Sequence, residues 1–178
     1  MASRMALLLC LSLSLSLGSV GCARTTFKDS VADQHGAAEE DSEMDFWDGL
    51  VERSAVTNND ALSALVISFS EGAPDFAGRV AVARKRGWLA LNEDLAANES
   101  ARVGLIARAV CIEAGIKGGL TMRVLGPRER YAVRELNYMG WLPDMSRHQS
   151  ISGAKLIALL GSVEDHLAEA PDKPKENM

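Results

Sequence analysis

The chain has 178 residues, 47% of them hydrophobic, a formal net charge of −5 and three cysteines. That length and hydrophobic share fit one domain with a substantial core rather than several domains. Cys10 lies in an amino-terminal leader and Cys22 at its end, so Cys111 is left alone, which excludes a disulfide framework or a cysteine-bound metal.

In chain order the first element is an address. Arg4 is the one charged side chain before Arg24, and the apolar run 5–17 falls short of the ~20 residues that a spanning helix needs. The Leu-Ser alternation from Leu11 to Leu17 has the period of a half-buried strand. It ends in small residues and a cysteine, which together with the charged start describe a secretory signal peptide over 1–21. Ser19-Val20-Gly21-Cys22 resembles the lipobox of bacterial lipoproteins. The resemblance implies that Cys22 carries acyl chains such as palmitate and anchors the protein to a membrane without spanning it. An ordinary signal peptide with an unmodified cysteine is the alternative. Ala23 after the cysteine, by analogy with better-known lipoproteins, points to the outer membrane facing the periplasm.

From Ala23 to Asp48 eight acidic residues face only Arg24 and Lys28. This polar, aperiodic composition predicts a solvated, flexible tether over 22–44. The body expected over 45–170 is mildly basic instead: residues 74–163 hold thirteen Lys and Arg against eight Asp and Glu. Residues 171–178 read as a disordered tail.

Within the body the elements predicted are all helices. Thr57 to Asp60 supply cap candidates for "ALSALVISFSEG", and Asp75 starts "DFAGRVAVARKRG", with Phe76, Val80 and Ala83 inward and Arg79, Arg84, Lys85 and Arg86 outward. Asn98 or Ser100 caps "ARVGLIARAVCIEAG", whose Cys111 reads as a small core residue. "IKGGLTMRVLGP" is broken by glycine and proline, so it holds at most a short extended piece. "RERYAVRELNYMG" and the Ser152-capped "GAKLIALLGSVEDHLAEA" complete an all-α fold.

Two stretches repeat one order of parts: a helix ending in Gly, a Trp-Leu pair, an irregular stretch and an apolar helix. Gly87-Trp88-Leu89 pairs with Gly140-Trp141-Leu142, and Leu105-Ile106-Ala107 with Leu156-Ile157-Ala158. Two helix-loop-helix units in a small bundle are implied. Ile151, Ser152, Leu156 and Leu160 resemble the S-layer homology module. That family implies a helical bundle that binds acidic cell-wall glycans, partly through an Arg after the capping residue. Gly153 stands at that position here. The stretch from Gly115 to Pro143 is also similar to an uncharacterised family of exported bacterial proteins, which implies no function.

His35, His148 and His166 are scattered and lie in no H-E-x-x-H arrangement, and no G-x-S-x-G is present. No enzyme activity, cofactor, metal or nucleic-acid partner is expected. Trp88 and Trp141 read as glycan-stacking platforms or as wedges closing each helix pair. Arg123, Arg128, Arg130 and Arg134 surround the "LGP" turn and suit a carboxylate or phosphate partner, or else form a solvated face paired with Glu129 and Glu135. The expected role is a non-enzymatic, lipid-anchored envelope protein that binds an anionic wall polymer, peptidoglycan or envelope polysaccharide, or an envelope protein. A structural or adaptor subunit using an apolar groove is the alternative.

Overall fold

A computed structural model describes residues 24–35, 40–70, 72–73 and 75–169. The expected leader 1–21, the acylation position Cys22 and the tail 171–178 lie outside the described residues. Among those described there are eight helices and no sheet, so the protein is all-α. They are α1 (Val31–Gln34), α2 (Glu40–Val51), α3 (Asn58–Phe69), α4 (Phe76–Lys85), α5 (Val103–Glu113), α6 (Leu120–Leu125), α7 (Glu129–Tyr138) and α8 (Gly153–Glu169).

Side-chain caps explain the starts of α1, α3, α4 and α8. Thr57 and Asp60 form a reciprocal capping box on α3, and Asp75 accepts from Gly78 N at 2.7 Å on α4. Ser152 Oγ accepts from Lys155 N at 3.4 Å at the start of α8. Helix α5 departs from expectation: its N-cap is Arg102, without a side-chain cap, and neither Asn98 nor Ser100 serves. The reason is tertiary. Val103 N and Gly104 N donate to the carbonyls of Gln149 and Arg147, both at 2.9 Å, so the loop before α8 satisfies the donors that a side chain would otherwise take.

The helix ends repeat as the sequence suggests. Gly87 and Gly140 have φ of +78° and +79°, a conformation that glycine adopts without the steric penalty a Cβ brings. After each, the tryptophan and leucine amides turn back onto one carbonyl, Trp88 and Leu89 onto Ala83 O, Trp141 and Leu142 onto Leu136 O. Leu89 and Leu142 are both buried.

At the centre, three chain segments meet just before three helices. Val56 N donates to Ile151 O and Ala101 N to Val56 O, both at 2.9 Å, and Val56, Ala101 and Ile151 are fully buried. They precede the N-caps Thr57, Arg102 and Ser152, so α3, α5 and α8 start from matching places. Each of these helices packs on the first helix of another pair: α3 on α4, α5 most extensively on α7, and α8 on α2. Three such pairings surround the core where two repeats were read. The cap register also moves the predicted correspondence by one residue: Leu156 matches Ile106 rather than Leu105. Ala61, Ile106 and Leu156 then share one place, four residues after each cap, and all are fully buried. Burying a Leu or Ile side chain contributes about 1.5–3 kcal/mol relative to leaving it exposed, so these positions anchor the bundle.

Three expectations are corrected. The solvated tether does not hold over 24–35: Phe27 N donates to Asn98 O and Ser100 N to Thr25 O, while Ser30, Val31 and Ala32 are buried. Apolar Val31 fits against Gly49 of α2, which compensates for the acidic surroundings. Arg79, expected outward, is 2% exposed, and one guanidinium nitrogen donates to Asn59 Oδ1 at 2.6 Å. Residues 120–125 are helical rather than extended, because buried Met122 gives the turn an apolar anchor that local glycine content does not reveal.

Candidate functional site

The starts of α5 and α7 face each other across a cleft that the loop 139–152 closes on one side. Gly104 lets the two approach, since a Cβ there would stand 2.6 Å from Glu129 Oε2. Beside this contact lies a cavity of about 710 Å³, lined by Arg102 and Arg108 of the α5 segment, Arg128 and Arg130 at the start of α7, and Arg147 of the loop. Glu93 and Glu129 are its carboxylates, and the Leu125-Gly126-Pro127 turn forms an edge. Five guanidinium groups against two carboxylates leave a formal surplus of three positive charges.

The two carboxylates are committed to one arginine. Arg102 forms ion pairs with Glu93 and, at 3.3 Å, with Glu129. Among the described residues, Arg108, Arg128, Arg130 and Arg147 are paired with no carboxylate. Arg108 Nε is buried without a hydrogen-bond partner, and Arg147 Nε donates to His148 Nε2 at 2.8 Å. A buried, unpaired donor costs about 1–3 kcal/mol, so the cavity wall carries an unmet demand for an acceptor.

A second cavity of about 600 Å³ shares Glu93 and Arg102 with the first and adds Arg24, Glu99, Ser100 and His148. Burial lowers the pKa of Arg24, and the Arg102 guanidinium lowers it further against the opposing pull of Glu99 and Glu129. This second cavity sets Arg24 and Arg102 against Glu93, Asp94 and Glu99, so the positive surplus belongs to the first cavity alone.

The predicted site residues divide. Arg128 and Arg130 line the arginine cavity, whereas Arg134 lies on smaller depressions along α7. Arg123 is exposed on α6 and its Nε donates to Gly118 O at 3.2 Å. Trp88 is fully buried, so it presents no ring face to a glycan; this corrects its candidacy as a stacking platform. Its Nε1 donates to Glu113 Oε1 at 2.7 Å, and Arg86 donates to both oxygens of Glu113 at 2.8 and 2.5 Å. Burial pushes the Glu113 carboxyl up, but the hydrogen bonds from Arg86 and Trp88 outweigh it and hold the pKa below the ordinary carboxylate value. Trp141 is half-buried with its edge against His166, ring centres 5.5 Å apart. Arg24, Arg102, Arg108 and Arg147 are the lining residues that sequence reasoning missed. They come from three segments, the amino-terminal stretch, α5 with its cap, and the loop before α8, and no local spacing unites these.

Other chemistry is sparse. The Cys111 thiol is buried, which pushes its pKa up to about 12, and it sits against Ala132 O. A thiol so protonated is a poor nucleophile. Among the described residues no group of His, Cys, Asp and Glu could hold a metal ion, and no helix is long and apolar enough to cross a membrane. No protein-family model, curated protein or solved structure matches this chain.

Proposed function

We propose that this is a non-enzymatic, lipid-anchored protein of the bacterial cell envelope that binds an anionic wall polymer in the arginine cavity between α5 and α7. The observation that carries the reading is the set of Arg108, Arg128, Arg130 and Arg147, four guanidinium groups around one cavity without a carboxylate partner among the described residues. Forked guanidinium donors match carboxylate and phosphate oxygens in pairs. The repeated helix pairs support the architectural resemblance to S-layer homology modules. The glycan-binding Arg of that family has no counterpart at Gly153, so the arginines here would serve the same chemistry from other positions.

The anchor is Cys22, after cleavage of the signal peptide 1–21, with the outer membrane facing the periplasm as the destination. Because the chain packs on the body from Arg24 onward, an anchor at Cys22 would hold the domain close to the bilayer rather than on a long spacer. An adaptor role has its own observation: Trp47, Ile67, Phe69, Ile157 and Leu160 line a groove of about 460 Å³ between α2, α3 and α8, which fits an apolar segment of another envelope protein.

Sedimentation with purified peptidoglycan or envelope polysaccharide at rising salt tests the two. Polymer binding through the cavity weakens with ionic strength. Arg108→Gln with Arg147→Gln weakens it by about 2- to 30-fold at unchanged circular dichroism. Binding that is equal in this variant and insensitive to salt rejects the cavity and favours the groove.

A further inference from the structure

Helix α6 reaches the cavity edge through Leu125 at its end and turns Leu120 and Val124 outward. Leu120 and Val124, four residues apart and therefore on one helix face, are 79% and 74% exposed. Across a small depression between α6 and α7, Tyr138 is 88% exposed. Only Met122 of α6 is buried, so the helix is held to the body by one side chain and displays the rest.

The charges around this apolar group are mainly positive, three cations against Glu135. Arg123 lies on α6 between Leu120 and Val124, Arg134 lines the depression with Tyr138, and Lys117 precedes the helix. The neighbouring carboxylate, Glu135, is occupied in part by accepting from Gly119 N at 3.3 Å. Exposed leucine and valine flanked by arginine, with a tyrosine whose ring is apolar and whose hydroxyl is polar, match the layered chemistry of a lipid headgroup region. A protein partner would satisfy the apolar residues, but an anionic bilayer satisfies both these and the surplus positive charge.

We infer that the α6 face, Leu120, Val124 and Tyr138 with Arg123 and Arg134, docks on the surface of an anionic lipid bilayer. The contact needs neither acylation at Cys22 nor a ligand in the arginine cavity. It sets which side of the domain lies against the membrane, and the Leu125-Gly126-Pro127 turn then brings the cavity to the headgroup level.

Bromolipid quenching tests this in the full chain. Cys10→Ser and Cys22→Ser leave buried Cys111, and Val124→Cys then takes an environment-sensitive fluorophore; Ala81→Cys on exposed α4 serves as the control position. With vesicles of phosphatidylcholine and phosphatidylglycerol, the label at 124 is quenched and blue-shifted, while the label at 81 is not. Quenching at 124 is lost in phosphatidylcholine vesicles, in high salt, and in the Leu120→Ser, Tyr138→Ser and Arg123→Gln, Arg134→Gln variants. The salt arm needs no altered fold. Quenching at 124 no greater than at 81, or quenching indifferent to phosphatidylglycerol, overturns the inference, and an unquenched face would point to a protein instead. Neither result touches polymer binding by Arg108 and Arg147, so the two proposals fail separately.

Discussion

At the start of α3, Asn59 and Asp60 are covered by the segment Ser30–Asp33 and by Arg79 of α4. Ala32 N donates to Asp60 Oδ1, Asn59 Nδ2 donates to Ser30 Oγ and Asp33 Oδ1, and Arg79 closes on Asn59 Oδ1. The matching place at the start of α5 has Gly104 where Asn59 stands, covered by Glu129 and the loop at Arg147 rather than by the amino-terminal strap. There the arginines line an open cavity. Arginine content alone does not separate a cation sealed inside the scaffold from one left open at a cavity. Burial lowers the pKa of Arg79, Asp33, Asp75 and Asp60 pull it back up, and its hydrogen bonds are spent inside the protein. Arg128 and Arg130 are exposed, with their donors in solvent.

The largest effect is expected at the sealed junction. Arg79→Met leaves Asn59 Oδ1 without its donor and three nearby carboxylates without their cation, so it should lower stability by about 3–5 kcal/mol in denaturant unfolding. A loss below about 1 kcal/mol would mean that the strap, not Arg79, holds this junction.

A smaller loss is expected where the open junction is tightest. Gly104→Ala places a Cβ about 3.0 Å or less from three atoms of Glu129. The displaced carboxylate should leave Arg102, and overpacking of this kind costs about 1–3 kcal/mol by thermal or chemical denaturation. An unchanged unfolding midpoint would show that α5 and α7 are not in contact there.

Least affected should be the cavity wall. Arg128→Gln together with Arg147→Gln should change stability by less than about 0.5 kcal/mol, as solvated positions do. A loss comparable with that of Arg79→Met would erase the distinction between the two junctions and make these arginines part of the scaffold.

Much of the scaffold was written locally. Thr57 with Asp60, Asp75 and Ser152 are caps recognisable from the residues alone, because a cap bonds to amides two or three positions away. Gly87 and Gly140 end helices for an equally local reason, a positive φ that disfavours any Cβ. Hydrophobic period placed Phe76, Val80 and Ala83 of α4 inward without knowledge of what they meet, and all three pack on the core. The acidic composition of 22–44 misled because an average over a segment hides Val31 and Ala32, the two residues that dock it.

What only tertiary structure decided is which surfaces meet. Arg79 and Arg84 share a helix and a charge, yet Arg79 alone is buried, because Asn59 and its strap stand opposite it. The third helix pair was hidden for the same reason: α2 lacks the Gly-Trp-Leu ending, and its place is defined by α8, whose Gly153 lies so close to Leu50 O that no Cβ would fit. The arginine cavity gathers residues from Arg102 to Arg147, separated by whole helices in the chain. Caps and turns act over three or four residues and can be read from sequence; burial and cavity charge depend on contacts between distant segments, and these exist only once the bundle has closed.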